Sequence, residues 1–257
     1  MKMTDDEIRL DAARKLAADR QGLPTNPEGP PAEITPAILA FCQSLSPVMP
    51  QYLALTADPL GRYGWCNEGV RLKVATAGGE PVHGWNVVEW PPGLLTAEFH
   101  CVWKSPEGEL IEMTPKPWPW GRILFVEDPN YPADFNFEGR PRNRRHRTYE
   151  PVAREARLHA QIDAMTESQR AYEEGRAAKA GLSLTAWLDR KAVPDVLVSA
   201  IDEFIALCQD FEAHYDSLGA SGSIRADAKF IALATRRQAL QPRLRQLMGL
   251  AVKGQVI

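Results

Sequence analysis

The chain has 257 residues, 44% of them hydrophobic and 25% charged, with a formal net charge of −3. These are the proportions of an ordinary globular protein and exclude disorder throughout. No stretch reaches about 18 consecutive apolar residues, and the opening MKMTDDEIRL lacks the charged, apolar, small-residue order of an export signal, so the expectation is a cytoplasmic protein without a membrane partner.

In chain order, Thr4 and Glu7 form a capping box for a helix to about Asp19, and 21–36 has the Pro and Gly content of a linker. Cys66 to about Thr76 contains no proline and spaces Cys66, Val70 and Val74 four apart, which predicts one face of a helix stopped by Gly78-Gly79. Val82–Trp90, Ala97–Trp103, Glu109–Met113 and Arg122–Val126 have β-branched and aromatic character between Pro and Gly clusters, which predicts an antiparallel sheet. Ser105-Pro106-Glu107-Gly108 fits a type I turn with a G1 bulge. In that register 105 pairs with 109, Val102 opposes Glu112 and His100 opposes Thr114.

Proline and tryptophan mark a boundary. Of 21 prolines, 19 lie within 1–151, and of seven tryptophans, six lie within 65–120. Beyond residue 150 the apolar period is near 3.6, with Leu197, Ile201, Phe204, Ile205, Cys208 and Phe211 on one stripe and Phe230, Leu233, Leu240, Leu244 and Leu247 on another. A further helical stretch covers about 151–180, and Ser183 to Arg190 reads as a short capped helix. The expected class is α+β. The segments are 1–45 (N-terminal helices and Pro-rich linker), 46–132 (α+β unit with a Cys-bearing helix on the sheet), 133–150 (Arg-rich linker) and 151–257 (helical).

Cys42, Cys66, Cys101 and Cys208 include no C-x-x-C pair and read as free thiols. A thiol in the first turn of a helix meets backbone N–H groups and the positive end of the dipole, and both favour thiolate. Cys66 is so placed, in Tyr63-Gly64-Trp65-Cys66-Asn67-Glu68. An imidazole beside it would lower its pKa further and move its proton. His100 is the candidate, and the hairpin register puts Glu112 on the His100 face, within side-chain reach, to orient the ring.

These residues carry a resemblance. His100-Cys101-Val102-Trp103 followed by Glu112-Met113-Thr114-Pro115, with Cys66 before them, resembles the transglutaminase-like branch of the papain-like cysteine enzymes. There a helix-initiating Cys precedes a strand carrying H-x-W and an acid in a D-x-T or D-P-T context. Here Trp103 stands one place later, and Glu112 stands where Asp is usual. The resemblance covers about 60–128 and implies acyl transfer from a peptide or protein amide, without a cofactor. Cys66 would attack, His100 would act as base and then acid, and Glu112 or Thr114 would orient the ring. The stretch from Gly64 to Pro129 is also similar to uncharacterised bacterial proteins, some ending in a zinc-binding SEC-C motif that this chain lacks. Asn67, His83, Trp85 and Trp103 are further candidates to line the site.

Each residue also has a packing use: Cys66 as a small buried hydrophobe, His100 as a satisfied sheet histidine, Glu112 as a solvent-facing acid. Cys101 alternates to the face opposite His100 and reads as core. Cys66, His83, His100 and Cys101 lack the pairwise spacing that seeds a zinc site, so no metal is expected. Arg140, Arg142, Arg144, Arg145 and Arg147 form the one strong charge run, read as a solvated linker or, alternatively, a grip on nucleic-acid phosphates. Trp85, Trp90, Trp118 and Trp120 would pack under loops or wall a groove. The competing class is a non-catalytic binding protein on the same fold.

Overall fold

A computed structural model describes residues 7–8, 11, 28–116, 120–150, 154–191, 195–218 and 226–252. Trp118 and most of the helix expected after Thr4 lie outside these residues. The first complete element, α1 (Pro36–Leu45), is one that the proline content hides. Thr35 caps it by accepting the Ile38 N–H at 3.3 Å, and Pro36 occupies the first position, where no N–H is needed. Strand β1 (Gln51–Ala54) follows. Helix α2 (Cys66–Ala77) starts at Cys66 and ends at Gly78, whose φ is 74°. At Gly79, with φ 77°, an added Cβ would lie 2.1 Å from the Lys104 carbonyl oxygen, so glycine is required where the chain enters the sheet.

Strands β2 (Glu80–Trp90) and β3 (Leu94–Lys104) pair along their whole length, from Glu80 opposite Lys104 to Trp90 opposite Leu94. The turn to β4 (Leu110–Ile111) has the predicted register: Ser105 N–H donates to Glu109 O at 2.9 Å, and Lys104 and Trp103 oppose Leu110 and Ile111. Gly108 supplies the positive φ, 92°. The ladder is shorter than expected, because Glu112 leaves β3 and bridges Leu55 in parallel, its carbonyl accepting the Thr56 N–H at 2.8 Å. With β5 (Arg122–Glu127) the order is β1-β5-β2-β3-β4, and β6 (Arg144–Arg147) adds to β3. All ladders between these six strands are antiparallel.

The Leu55–Glu112 bridge joins the two ends of that strand order, so the sheet is rolled. Leu53, Val82, Val102, Ile123 and Phe125, drawn from strands around the roll, fill its inner face. On the outer face, Ile38, Phe41 and Cys42 of α1 pack on Trp85, Val87, Leu95, Ala97, Phe99, Leu124 and Val126. Beside them, Cys66 and Val70 of α2 pack on Cys101, Trp103 and Met113. Strand β3 is covered at its outer edge by β6 along 94–97 and by β4 at 103–104, and no strand among the described residues pairs there with 98–102.

Beyond residue 150 the described elements are all helices: α3 (Arg154–Asp163), α4 (Glu167–Lys179), α5 (Leu184–Lys191), α6 (Val196–Ser217) and α7 (Ala228–Val252). Thr166 closes a capping box at α4, splitting the single stretch expected over 151–180. The predicted stripes meet: Leu197, Ile201, Phe204 and Cys208 of α6 bury against Leu240, Leu244 and Met248 of α7, and both clamp Trp90 and Leu94 at the end of the β2–β3 hairpin.

Residues 144–147 of the arginine run form a strand, and three of the run's arginines have ionic anchors, which differs from the solvated linker expected of it, while Arg140 and Arg142 lie outside the strand. Arg145 reaches Glu212 of α6 at 2.6 Å, Arg147 reaches Asp202 at 2.8 Å, and Arg142 pairs with Asp216. A charge run reads as solvated when its counter-charges lie far away in sequence, as these do. Trp85 and Trp90 are core residues, and the Trp120 ring lies against Gly29. No helix of the described residues is long and apolar enough to cross a membrane.

Candidate active site

The site forms where β3 lacks an edge partner. Cys66 is the first residue of α2, and Trp65 before it offers no side-chain cap, so the first-turn N–H groups are left without the usual capping oxygen. Although α2 packs on the outer face and His100 belongs to the inner face by strand alternation, their side chains meet at this open edge, where the imidazole draws the thiol pKa down. The Cys101 N–H also points at the Cys66 sulfur. Gly84 lies opposite His100 on β2; a Cβ there would stand 2.8 Å from Phe125 Cζ, so glycine makes room for the ring that fills the roll.

Glu112 completes the arrangement. Its Oε2 is hydrogen-bonded to His100 Nε2, which leaves Nδ1 as the ring nitrogen for the thiol. Its Oε1 accepts the Thr114 N–H at 2.6 Å, and Lys116 Nζ lies 3.6 Å from the same oxygen. The Glu112 side chain is fully buried, and those of His100 and Lys116 each keep 9% of their surface. Glutamate, one methylene longer than aspartate, suits a position that has already left the β3 ladder.

Burial alone would make each charge costly, and here each is offset by a partner. Burial raises the Glu112 carboxyl, but the His100 charge and hydrogen bond, with Lys116 and the Thr114 N–H, bring it to about 2. Burial works against a charged His100, yet Glu112 lifts it to about 9, with Lys116 opposing and Cys66 assisting. For Cys66 burial again favours the neutral form, but the His100 charge and hydrogen bond and the Cys101 N–H outweigh it, and the thiol pKa falls. Burial raises Cys42, Cys101 and Cys208 instead. The arrangement favours a thiolate at Cys66 beside an imidazolium at His100.

The other candidates sit elsewhere or act differently. Asn67 is in the first turn of α2 beside the thiol. Thr114 is buried next to Glu112 and holds it through its N–H, while its hydroxyl makes no hydrogen bond, so it does not orient the ring. His83 donates from Nδ1–H to Pro132 O at 3.1 Å and stacks on Phe99, among Phe135 and Phe137 on the outer face. Trp85 donates to Asp128 at 3.0 Å within the α1 core. Trp103 shares the packing cluster of Cys66, but its indole donates to Gly78 O at 2.9 Å, at the opposite end of α2. His83, Trp85 and Trp103 therefore position the sheet and its helices. Lys116 is the residue that sequence reasoning missed; its signal was a lone lysine between Pro115 and Pro117, four residues after the acid. Among the described residues no group of three or more His, Cys, Asp and Glu side chains is arranged to hold a metal ion.

Comparison with family models, curated proteins and solved structures finds no match for this chain.

Proposed function

We propose that the chain is a cysteine-dependent acyl-transfer enzyme of the papain-like or transglutaminase-like kind, acting on a peptide or protein amide. The observation that carries this reading is the buried chain of contacts from Cys66 through His100 to Glu112, with the thiol on a helix N-terminus. In the first half-reaction the Cys66 thiolate attacks the amide carbonyl carbon and the C–S bond forms. As the C–N bond breaks, the His100 imidazolium gives its proton to the leaving amine, leaving a thioester on Cys66. In the second, His100 takes a proton from water or an incoming amine, which displaces the sulfur. The product is an acid or a new amide, and the Cys66 thiolate and His100 imidazolium are restored. The Cys66 N–H supplies one donor to the oxyanion. Glu112 accepts from Nε2 throughout, keeping Nδ1 directed at the sulfur.

Iodoacetamide titration near neutral pH, followed residue by residue by mass spectrometry, tests this. Cys66 should be alkylated at least about tenfold faster than Cys42, Cys101 and Cys208. His100→Gln should abolish that advantage, which separates activation of the thiol from its slightly greater exposure. Uniform slow labelling would instead favour a binding protein on the same fold.

A further inference from the structure

Lys116 stands at the far side of Glu112 from the imidazole. Its side chain keeps 9% of its surface, and its Nζ lies 3.6 Å from Glu112 Oε1. A lysine held out of water bears a desolvation cost that surface lysines avoid. The partner it has is the acid already engaged by His100 and by the Thr114 N–H. With the thiolate and imidazolium formed, Cys66, His100, Glu112 and Lys116 make two negative and two positive charges. Without the lysine the buried site holds an excess negative charge.

We propose that Lys116 is a positioning residue that keeps Glu112 ionised through the whole reaction cycle and keeps the His100 proton transferable. The inference rests on the acyl-transfer reading above. Two stages of the cycle show why a second cation is needed. While His100 is an imidazolium, Glu112 alone would bind its charge too firmly for the proton to pass to a leaving amine; Lys116 opposes that charge. Once His100 has given up its proton, Glu112 would be a buried anion facing a neutral ring. Lys116 then remains as its counter-charge, so Glu112 goes on accepting from Nε2–H and Nδ1 keeps its lone pair for the incoming nucleophile. The titratable groups that act on the ring are Cys66 from α2, Glu112 directly and Lys116 from beyond it, both on the segment after β4; Cys101 is its neighbour on β3, and β2 places Gly84 opposite. Of these, Lys116 is the one whose charge opposes the imidazolium.

Nitrogen-detected NMR of the full chain, with the His100 signals assigned by His100→Gln, reads the ring titration directly. Lys116→Met should move the His100 midpoint upward by about one pH unit. Lys116→Arg, which keeps the charge, should leave it close to the wild type. A folded Lys116→Met protein with the wild-type midpoint would overturn the proposal. Should Lys116→Met not fold, Glu112→Gln/Lys116→Met, which removes both charges, decides: recovery of the fold supports the counter-charge role, and failure of both variants refutes it in favour of packing. His100 titrates visibly whether or not the thiol reacts. Slow alkylation of wild-type Cys66 would therefore count against acyl transfer, and an unmoved His100 midpoint would count against Lys116.

Discussion

His100 and Glu112 face each other with 9% and 0% of their side-chain surfaces in solvent, whereas Arg142 and Asp216, which help to fasten the β6 region to α6, keep 51% and 50%. Both are contacts between opposite charges, and water separates their uses. At the exposed pair solvent screens the attraction, and either partner can be lost to hydration. At the buried pair water cannot satisfy the charge and only neighbouring protein groups do, so it can be held in the state that chemistry requires. Arg145 and Glu212 lie between, with 10% and 21% exposed. The same linear sequence thus contains a graded series of ion pairs, and the place of each in the series predicts what its removal does.

The largest effect is expected at the buried end. Glu112→Ala, which strands the imidazolium and Lys116, should cost about 3–5 kcal/mol in urea unfolding. Comparison of the wild type with the milder Glu112→Gln gives this a pH signature. The Glu112 carboxyl is lowered from 4.5 to about 2, so its contribution is complete above 4.5 and lost as pH falls toward 2. His100 is raised from 6.5 to about 9, so its contribution is complete below 6.5 and lost as pH rises through 9. The stability gap between the two proteins should be widest between those limits and narrow on both sides; a gap independent of pH would show that the pair acts by packing alone.

Next in size, Glu112→Gln should slow alkylation of Cys66 at neutral pH by about ten- to a hundredfold, as one to two pK units of lost imidazolium stabilisation imply. Glu109→Gln should leave it within about twofold, since Glu109 lies at the exposed turn and not beside the ring. Equal effects would remove Glu112 from the mechanism and leave a Cys-His dyad. Arg145→Met, which leaves a half-desolvated Glu212, should cost about 1–3 kcal/mol and loosen α6 from β6, seen as faster amide exchange in β6. Arg142→Ala should cost about 0.5 kcal/mol or less, an effect that salt erases.

What the sequence disclosed and what it concealed divide along contact range. The register around Gly108, the start of α2 at Cys66 and the apolar stripes of α6 and α7 follow from rules acting within a few residues, and each was legible. Helix α1 also carried a local signal, Thr35-Pro36, but it was submerged in proline-rich surroundings. Strand β6 could not be seen, because four residues of Arg and His resemble a strand only once Asp202, Glu212 and Asp216 are known to lie beside them. The meeting of Cys66 with His100 at an uncovered edge was hidden for the same reason: it depends on where β6 stops and β4 begins. Lys116 was overlooked because a lysine reads as surface until its acid is found to be buried.

The bridge from Leu55 to Glu112 gives the site a place in time as well as in space. Cys66, His100 and Glu112 lie on a helix, a hairpin and the segment beyond it, but the acid is fixed only when strands at the two ends of the sheet order come together. Such a closure carries a loop entropy that local elements do not, and it follows them during folding. If the thiol is activated as proposed, full activation should come late, with completion of the roll. On the acyl-transfer reading, a partly folded chain with α2 and the β2–β3 hairpin formed but the ends apart would lack the acid at His100, and its Cys66 would react more slowly than in the finished roll.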